Sequence, residues 1–352
     1  MPYCFSMYDD TVKKFTIGCV CIGTDYAEMS LISLYSLFKS LNEFFVFSEI
    51  IEEIKIVTDE SGSNFIAFAE SIHSNVKVIK PSNWNDFGLP MHSGNYSTYY
   101  KFDLFFDLLP NQTLIYLDSD AFVVGKFDLD FLANRISDSG GDSLLMVPSH
   151  RPVLEKTGFM NRISPYNYYN AGFMVVTLRK SFCADKLLQH RETYFPKTYE
   201  TLIWHDQDLI NSYFQDCIEA LPFRYNVSTG LIKKENFGPN NLNYLVLSEF
   251  NDAVIAHASG RILKSKKYYP YKELILTIAK AGLLDDKIND SVKINFTKFI
   301  SQIEFFDSST INKFRQFFGR TSECSPYLYK EDLYWKKMSK KFLKHTRHFL
   351  QR

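Results

Sequence analysis

Thr113-Leu-Ile-Tyr-Leu117 leads directly into Asp118-Ser119-Asp120, and this segment carries the clearest structural signal in the sequence. A short apolar run that ends in polar residues is typical of a strand buried in a sheet. Because the two acids are one residue apart past the strand end, both can converge on one hard cation through oxygen ligands, as Mg²⁺ and Mn²⁺ prefer. The alternative is a plain turn or helix cap, which Asp-Ser-Asp also suits.

On both sides of this segment, apolar runs of strand length alternate with longer stretches of helical period. The predicted strands are Phe15–Gly23, Glu53–Thr58, Asn75–Ile79, Thr113–Leu117, Ser143–Pro148, Ala171–Leu178 and Ala253–Ala256. Such alternation is typical of βαβ units around a mainly parallel sheet. The predicted fold class is therefore α/β.

The first predicted helix, Ala27–Leu41, follows the first strand after a short turn, where Thr24 or Asp25 is a suitable N-cap. A strand–turn–helix opening aims the free N–H groups of the helix above the carboxyl edge of the sheet, where nucleotides commonly bind. The sequence contains no G-x-G-x-x-G and no P-loop lysine motif, which argues against a dinucleotide site or a P-loop.

Three further polar groups stand at the ends of predicted elements. Asn170 precedes a strand together with the small pair Ala-Gly, which lets a backbone approach a ligand closely. Asp206-Gln-Asp208 opens a helical stretch, where either acid could instead be an ordinary N-cap. His257 directly follows the last predicted strand, although a lone histidine is more often a core or surface group than a ligand.

These segments in this order, with Leu221-Pro-x-x-Tyr-Asn226 among them, resemble the retaining glycosyltransferases of family 8. The resemblance runs from about Phe15 to Lys264. It implies the GT-A fold, a Rossmann-like nucleotide-diphospho-sugar transferase fold with a mixed, mostly parallel sheet flanked by helices. Helical runs replace strand-like runs near Ser265, so we predict an N-terminal arm (1–14), a catalytic domain (15–264) and a helical C-terminal appendage (265–352).

The resemblance implies a divalent metal site made of Asp118, Asp120 and His257. Mn²⁺ is the favoured ion and Mg²⁺ the alternative. Two carboxylates, one imidazole and two phosphate oxygens nearly fill an octahedron. Such an ion neutralises the charge that develops on a departing nucleoside diphosphate.

The resemblance also implies residues that bind the sugar-nucleotide donor. Those that contact its nucleotide and diphosphate are Thr24, Asp25, Tyr26, Lys101, Ser119, Gly260 and Lys264. The catalytic positions that hold the transferred sugar are Asn170, Asp206 and Gln207. The Gln207 oxygen is expected on the face where a retaining enzyme needs a nucleophile or an ion-pair stabiliser.

Two lysines depart from the family pattern. Lys101 stands where the family often has arginine, and lysine lacks the bidentate fork of a guanidinium. The family ending His-x-x-Gly-x-x-Lys-Pro-Trp is half present, because Lys264 comes one position late and no Pro-Trp follows. Arg261 is therefore a second candidate for the pyrophosphate contact.

The function implied is transfer of a hexose from a UDP-sugar, UDP-glucose or UDP-galactose, to a saccharide or lipid-linked saccharide with retention at the anomeric carbon. Two alternatives remain, an inverting GT-A transferase and a catalytically silent protein that binds a sugar-nucleotide or glycan. A phosphatase that uses Asp-x-Asp as nucleophile and acid is disfavoured, since such enzymes generally carry the motif on their first strand.

Charge and cysteine usage predict the location. The sequence has 40 basic and 40 acidic residues, but 333–352 holds seven of the basic ones and no acid, which leaves 33 against 40, or −7, for the remainder. A helix over 335–352 would align Trp335, Met338 and Phe342 among lysines, which predicts peripheral contact with an anionic membrane. A solvated helix or a nucleic-acid patch are the alternatives, and no nucleic-acid partner is predicted.

Cys19 and Cys21 fall in an apolar strand and are predicted to be buried free thiols, which favours a reducing compartment. The N-terminus lacks the apolar region of a secretory signal, and no run approaches the length of a membrane span. The predicted location is cytoplasmic, with peripheral contact at the membrane face.

Overall fold

A seven-stranded sheet lies at the centre of the protein. The computed structural model describes residues 14–89, 91, 96–137, 141–149, 168–194, 205–228, 253–258, 278–286, 290, 293–294 and 297. The strands are β1 (Phe15–Cys21), β2 (Ile51–Thr58), β3 (Val76–Ile79), β4 (Thr113–Leu117), β6 (Ser143–Pro148), β7 (Tyr169–Thr177) and β8 (Ile218–Ala220). Their order across the sheet is β3-β2-β1-β4-β7-β6-β8.

The sheet is mixed and mostly parallel, as the sequence predicts. Strand β1 lies parallel to β2 and β4, β2 to β3, and β6 to β8, whereas β7 runs antiparallel to both β4 and β6. Because β7 runs in the opposite direction, its first residues lie beside the last residues of β4, with Leu117 opposite Phe173. The polar residues that flank these two strands therefore meet at one edge of the sheet.

A second, three-stranded sheet joins distant parts of the chain at this edge. It consists of β5 (Ala121–Val123), β9 (Val227–Ser228) and β10 (Ile255–His257), with β10 in the middle. Strand β10 pairs antiparallel with β5, and His257 is the partner of Ala121. This pairing places the end of β10 next to the Asp-Ser-Asp turn.

Helices cover both faces of the central sheet. They are α1 (Thr24–Asn42), α2 (Phe47–Ile50), α3 (Ser63–Ile72), α4 (Lys101–Phe106), α5 (Leu129–Ser137), α6 (Ala184–Tyr194) and α7 (Asp206–Tyr213). One apolar cluster lies between the sheet and α1, α3 and α5, and another between the sheet and α4, α6 and α7. Successive residues of β4 alternate between them, Ile115 in the first and Tyr116 in the second, because strand side chains alternate faces.

The prediction that Thr24 or Asp25 caps the first helix is wrong. The helix begins at Thr24, and Gly23 is the N-cap with φ of 83°, a conformation that glycine adopts without strain. The Gly23 N–H donates to the carboxylate of Asp59 at 3.2 Å from Oδ2. The turn between β1 and α1 is therefore fixed by the end of β2 and not by a cap within the helix.

Residues of the predicted C-terminal region pack on α1. Residues 278–283 are helical, and Ile278, Ala279 and Ala281 belong to the same apolar cluster as α1. The Tyr35 hydroxyl donates to Asp285 Oδ2 at 3.0 Å. The domain boundary near Ser265 stays a prediction, and the basic segment 335–352 lies outside the described residues.

Two further expectations concern the cysteines of β1 and membrane-spanning helices. Cys19 and Cys21 are buried and free, as predicted, and burial raises the pKa of the Cys21 thiol to about 12. Among the helices in the described ranges, none is both long enough and apolar enough to cross a membrane.

Candidate active site

The three predicted metal ligands converge. Asp118 and Asp120 follow β4, His257 ends β10, and one potential ligand atom from each lies within 4.8 Å of the others. His257 Nε2 is 3.2 Å from Asp120 Oδ1 and 3.6 Å from Asp118 Oδ2. The pairing of β5 with β10 brings these residues together although they are far apart in sequence.

This donor set fits a divalent cation such as Mn²⁺ or Mg²⁺, because hard ions prefer carboxylate oxygens and Mn²⁺ also accepts imidazole. The two carboxylate oxygens of Asp118 have different partners. Its Oδ1 accepts hydrogen bonds from the Tyr116 hydroxyl and from Lys101 Nζ, the latter at 3.3 Å, and its Oδ2 faces His257. The hydrogen bonds to Oδ1 thus fix the orientation of the carboxylate, and Oδ2 is directed toward the other predicted metal ligands.

Room for the His257 ring depends on Gly172. A Cβ at this position would lie 2.2 Å from His257 Cε1 and 2.4 Å from Nδ1. Ala171 and Gly172 both line the cleft, so a close approach of their backbone to a ligand stays a prediction. The structure adds that the missing Cβ of Gly172 makes room for the imidazole of His257.

The carboxylates control the charge of His257. Burial alone lowers the pKa of this imidazole, but Asp120 and then Asp118 outweigh burial, so the pKa is raised above its ordinary value. A proton on Nε2 and a divalent cation compete for the same position between the two carboxylates. The electrostatics of the site therefore favour positive charge there.

Lys101 links one of the predicted metal ligands, Asp118, to Asp206, a residue predicted to hold the sugar. Its Nζ lies 2.7 Å from Asp206 Oδ2 and 3.3 Å from Asp118 Oδ1. Burial lowers the pKa of Lys101, but the two carboxylates outweigh it and raise the pKa to about 12, so the amine is charged. Burial raises the pKa of Asp206 above its ordinary value, and the charge of Lys101 opposes part of this rise.

Asp206 is the first residue of α7 and not its N-cap, which excludes the capping alternative for this acid. The N-cap is His205, with φ of 49° and no capping hydrogen bond from its side chain. Asp208, the other acid considered as a cap, accepts a hydrogen bond from the buried Tyr168 hydroxyl. Both acids therefore face protein partners from the first turn of the helix.

The two amide side chains are anchored through their oxygens. Asn170 Oδ1 accepts from Gly172 N at 2.9 Å and from Asn226 Nδ2 at 2.7 Å. Gln207 Oε1 accepts from Ala171 N at 3.2 Å. Because a backbone N–H can only donate, the contacted atom must be oxygen in each case.

Most of the predicted site residues line one cleft of about 310 Å³. Those that line it are Tyr26, Lys101, Asp118, Ser119, Asp120, Asn170, Asp206, Gln207 and His257. Thr24 and Asp25 lie in the first turn of α1, at the same edge of the sheet, and their side chains are not described. Gly260, Arg261 and Lys264 lie outside the described residues.

Sequence reasoning missed several residues of this cleft. Tyr116 resembles an ordinary core residue of β4, but it lines the cleft and its hydroxyl donates to Asp118. Ser97, Thr98 and His205 line the cleft but belong to no pattern that predicts it. Asn226 stands in a quoted motif without an assigned role, and its side chain bonds both Asn170 and His257.

Comparison with known proteins gives a consistent result. A sequence model described as glycosyl transferase family 8 matches residues 19–243. Among proteins of curated function, none matches the sequence significantly.

The structure is similar to three solved glycosyltransferases. The galactosyltransferase LgtC, solved with donor and acceptor sugar analogues, is 17% identical with a TM-score of 0.51, over 70% of this chain and 87% of LgtC. The bifunctional WbbM is 16% identical with a TM-score of 0.53, over 85% of this chain and 52% of WbbM. GlyE of Streptococcus pneumoniae is 14% identical with a TM-score of 0.50, over 82% of this chain and 64% of GlyE. At these identities the likeness concerns the fold.

Proposed function

The chain belongs to glycosyl transferase family 8, and on this basis we propose that it moves a hexose from a UDP-sugar to a saccharide hydroxyl with retention of anomeric configuration. The observation that carries the proposal is one cleft that holds two sets of residues. These are the metal-ligand set Asp118, Asp120 and His257 and the sugar-side set Asn170, Asp206 and Gln207.

Charge balance supports a divalent ion. Asp118, Asp120 and Asp206 contribute three negative charges when ionised, and Lys101 contributes one positive charge. With His257 neutral, the form that can bind a metal, the sum is about −2. Asp118, Asp120 and His257 would hold the ion, Mn²⁺ or Mg²⁺. The ion supplies neutralisation of the charge on the departing UDP.

Lys101 acts in this proposal through the carboxylates. It is 4% exposed and lies between Asp118 and Asp206, so it orients one metal ligand and one sugar-side acid together. The family resemblance implies that the basic residue at this position contacts the donor phosphates or the first aspartate, and Lys101 contacts Asp118. Contact with the donor phosphates remains part of the proposal.

Gln207 and Asp206 are the groups we assign to the reacting carbon. The hydrogen bond from Ala171 N positions the Gln207 oxygen, and the 2.7 Å contact with Lys101 Nζ positions the Asp206 carboxylate. Both would flank the oxocarbenium-like centre. The acceptor hydroxyl attacks on the face that UDP leaves, and a departing phosphate oxygen accepts its proton.

The donor is proposed to be UDP-glucose or UDP-galactose, bound through Thr24, Asp25, Tyr26, Ser119, Gly260 and Lys264 in addition to Lys101. The presence of donor and acceptor sugar analogues in the LgtC structure supports a sugar donor and a saccharide acceptor. A lipid-linked saccharide is the second acceptor class. The basic segment 335–352 would then hold the enzyme at the cytoplasmic face of an anionic membrane.

The test is release of UDP from UDP-glucose and UDP-galactose with and without Mn²⁺, for the natural protein and for Asp120→Asn. The variant should lose metal-dependent turnover and keep its fold, since the side chain changes by one atom. Asp130→Asn, an exposed acid on α5, is the matched control and should keep activity. Full activity of Asp120→Asn contradicts the metal assignment.

The same reaction separates the alternatives. NMR of the product anomer distinguishes retention from inversion. A silent sugar-nucleotide-binding protein would bind the donor and yet show no slow metal-dependent hydrolysis in the absence of an acceptor.

A further inference from the structure

A continuous series of hydrogen bonds runs from the backbone of β7 to the imidazole of His257. Gly172 N donates to Asn170 Oδ1 at 2.9 Å, and Asn226 Nδ2 donates to the same oxygen at 2.7 Å. The other end of the Asn226 amide, Oδ1, lies 2.9 Å from His257 Nδ1. Asn226 is the member that contacts both neighbouring side chains.

The donor and acceptor roles in this series follow from its first bond. The Gly172 N–H must donate, so the Asn170 atom is an oxygen, and the Asn226 atom that shares this oxygen must be a nitrogen. The opposite atom of the Asn226 amide is therefore an oxygen. His257 Nδ1 must donate to it, which leaves the Nε2 lone pair of the neutral ring directed toward Asp120 and Asp118.

The backbone around Asn226 keeps its side chain in place. Asn226 is 4% exposed and follows the short 3₁₀ turn Phe223–Tyr225, and its N–H donates to Phe223 O at 3.0 Å. The next residue, Val227, pairs with Ala256, the neighbour of His257, through the β9–β10 ladder. Asn226 does not line the cleft in the described part of the chain.

We propose that Asn226 is a positioning residue that holds His257 for the metal and Asn170 for the sugar through one amide group. The proposal rests on the proposed function. A partner on the second nitrogen of a metal-binding histidine fixes ring orientation and tautomer, and loss of such a partner weakens metal binding.

The contact between Asn226 and Asn170 determines which atom of the Asn170 side chain can bind a ligand. Gly172 and Asn226 occupy both lone pairs of Asn170 Oδ1, so the amide nitrogen of Asn170 is the part of the side chain that remains for a ligand. Asn170 should therefore donate to a sugar hydroxyl and not accept from one. Without Asn226, the Asn170 amide keeps only the bond from Gly172 and can rotate.

The first experiment measures Mn²⁺ binding to the full chain by the loss of the free-ion EPR signal. Asn226→Leu, similar in size and unable to form hydrogen bonds, should weaken Mn²⁺ binding about 10- to 100-fold. Thr113→Val is the matched control, because it removes the buried 2.8 Å bond to Thr177 at the opposite end of β4 and should leave Mn²⁺ affinity unchanged. Circular dichroism confirms that both variants are folded.

The outcomes separate this inference from the function on which it rests. A natural protein that does not bind Mn²⁺ contradicts the proposed function. A natural protein that binds Mn²⁺, with equal affinity in Asn226→Leu, overturns the positioning role of Asn226.

Asn226→Asp tests the contact with His257 and the contact with Asn170 separately. It also provides the test of the proposal if the leucine variant does not fold. The carboxylate still accepts from His257 Nδ1, so Mn²⁺ affinity should stay within about threefold of the natural value or rise. It cannot donate to Asn170, so the preference for UDP-glucose or UDP-galactose over UDP, measured by calorimetry with Mn²⁺, should fall. An unchanged preference for the UDP-sugar over UDP overturns the role of Asn226 in positioning Asn170.

Discussion

Lys101 Nζ lies 2.7 Å from Asp206 Oδ2, and only 4% of the lysine and 6% of the aspartate are exposed. This ion pair joins α4, the helix before the Asp-x-Asp strand, to α7, the helix that carries Gln207. The same ammonium group reaches Asp118, so one buried charge orients groups on both sides of the cleft.

Lys101→Met should strongly destabilise the protein. Asp206 would lose its counter-charge inside the protein, where burial already raises its pKa, and the carboxyl would take up a proton. Removal of one partner of a buried ion pair typically costs about 3–5 kcal/mol of unfolding free energy. Urea unfolding at neutral pH measures the loss, and UDP-sugar turnover should fall with it.

Lys77→Met provides the control for that loss. Lys77 pairs with Asp107 at 2.6 Å but is 49% exposed, so water screens the pair. Exposed pairs contribute about 0–1 kcal/mol, so this variant should unfold close to the natural midpoint. Equal destabilisation by the two substitutions would contradict a structural role for the buried pair.

Gly172→Ala should displace the imidazole of His257. The new methyl group would lie 2.2 Å from Cε1, so either the ring or β7 must move. Overpacking of this kind costs about 1–3 kcal/mol. Because the ring carries the third proposed metal ligand, Mn²⁺ affinity should fall together with stability, as measured by EPR titration and thermal unfolding.

Gly141→Ala is the matched glycine substitution. A Cβ at Gly141 meets no atom within 4 Å in the described residues, so stability should change by less than about 0.5 kcal/mol. Normal Mn²⁺ binding by Gly172→Ala would mean that the imidazole is not a ligand or that it tolerates the shift.

The sequence predicts the long strands because burial on both faces gives them continuous apolar runs. The strands β1, β2, β4 and β6 lie within two residues of their predicted bounds, and β7 begins two residues earlier than predicted. The strands β5, β8 and β9 were missed because two or three residues are too few to show a period.

The short strands matter most for the metal ligands. His257 reaches Asp120 only through the pairing of β5 with β10, and a contact between such distant residues leaves no local pattern in the sequence. The proximity of His257 to Asp120 was predicted only because the order of motifs resembles a known family. Physical reasoning on single segments supplied the carboxylates Asp118 and Asp120, and it did not supply the roles of Tyr116, Gly172 or Asn226.

The stability of the protein should fall as the pH drops from about 6.5 toward about 4, in part because of His190. Burial lowers the pKa of this histidine to about 4 from 6.5, and its Nε2 lies 3.0 Å from Ser212 Oγ. The unfolded chain binds the proton at higher pH than the folded protein does, so the contribution is present above 6.5 and is lost as the pH falls. Unfolding at about pH 7.5 and about pH 4.5 should show a smaller loss for His190→Gln, and equal losses would exclude this contribution.

Ser33 on α1 contacts the backbone that follows the Asp-x-Asp turn. Replacing it should therefore weaken metal binding, although Ser33 is not itself a proposed ligand. Its Oγ donates to Ala121 O at 2.6 Å, and Ser36 Oγ accepts from Val123 N at 2.9 Å. Ser33→Ala leaves the buried carbonyl of Ala121 short of a donor, which costs about 1–3 kcal/mol, and allows β5 to shift relative to β10. Mn²⁺ affinity should therefore fall with unfolding free energy. Ser71→Ala removes a 2.7 Å bond to Phe68 O within α3 and should leave Mn²⁺ binding unchanged, so equal Mn²⁺ affinity in the two variants would contradict this role of α1.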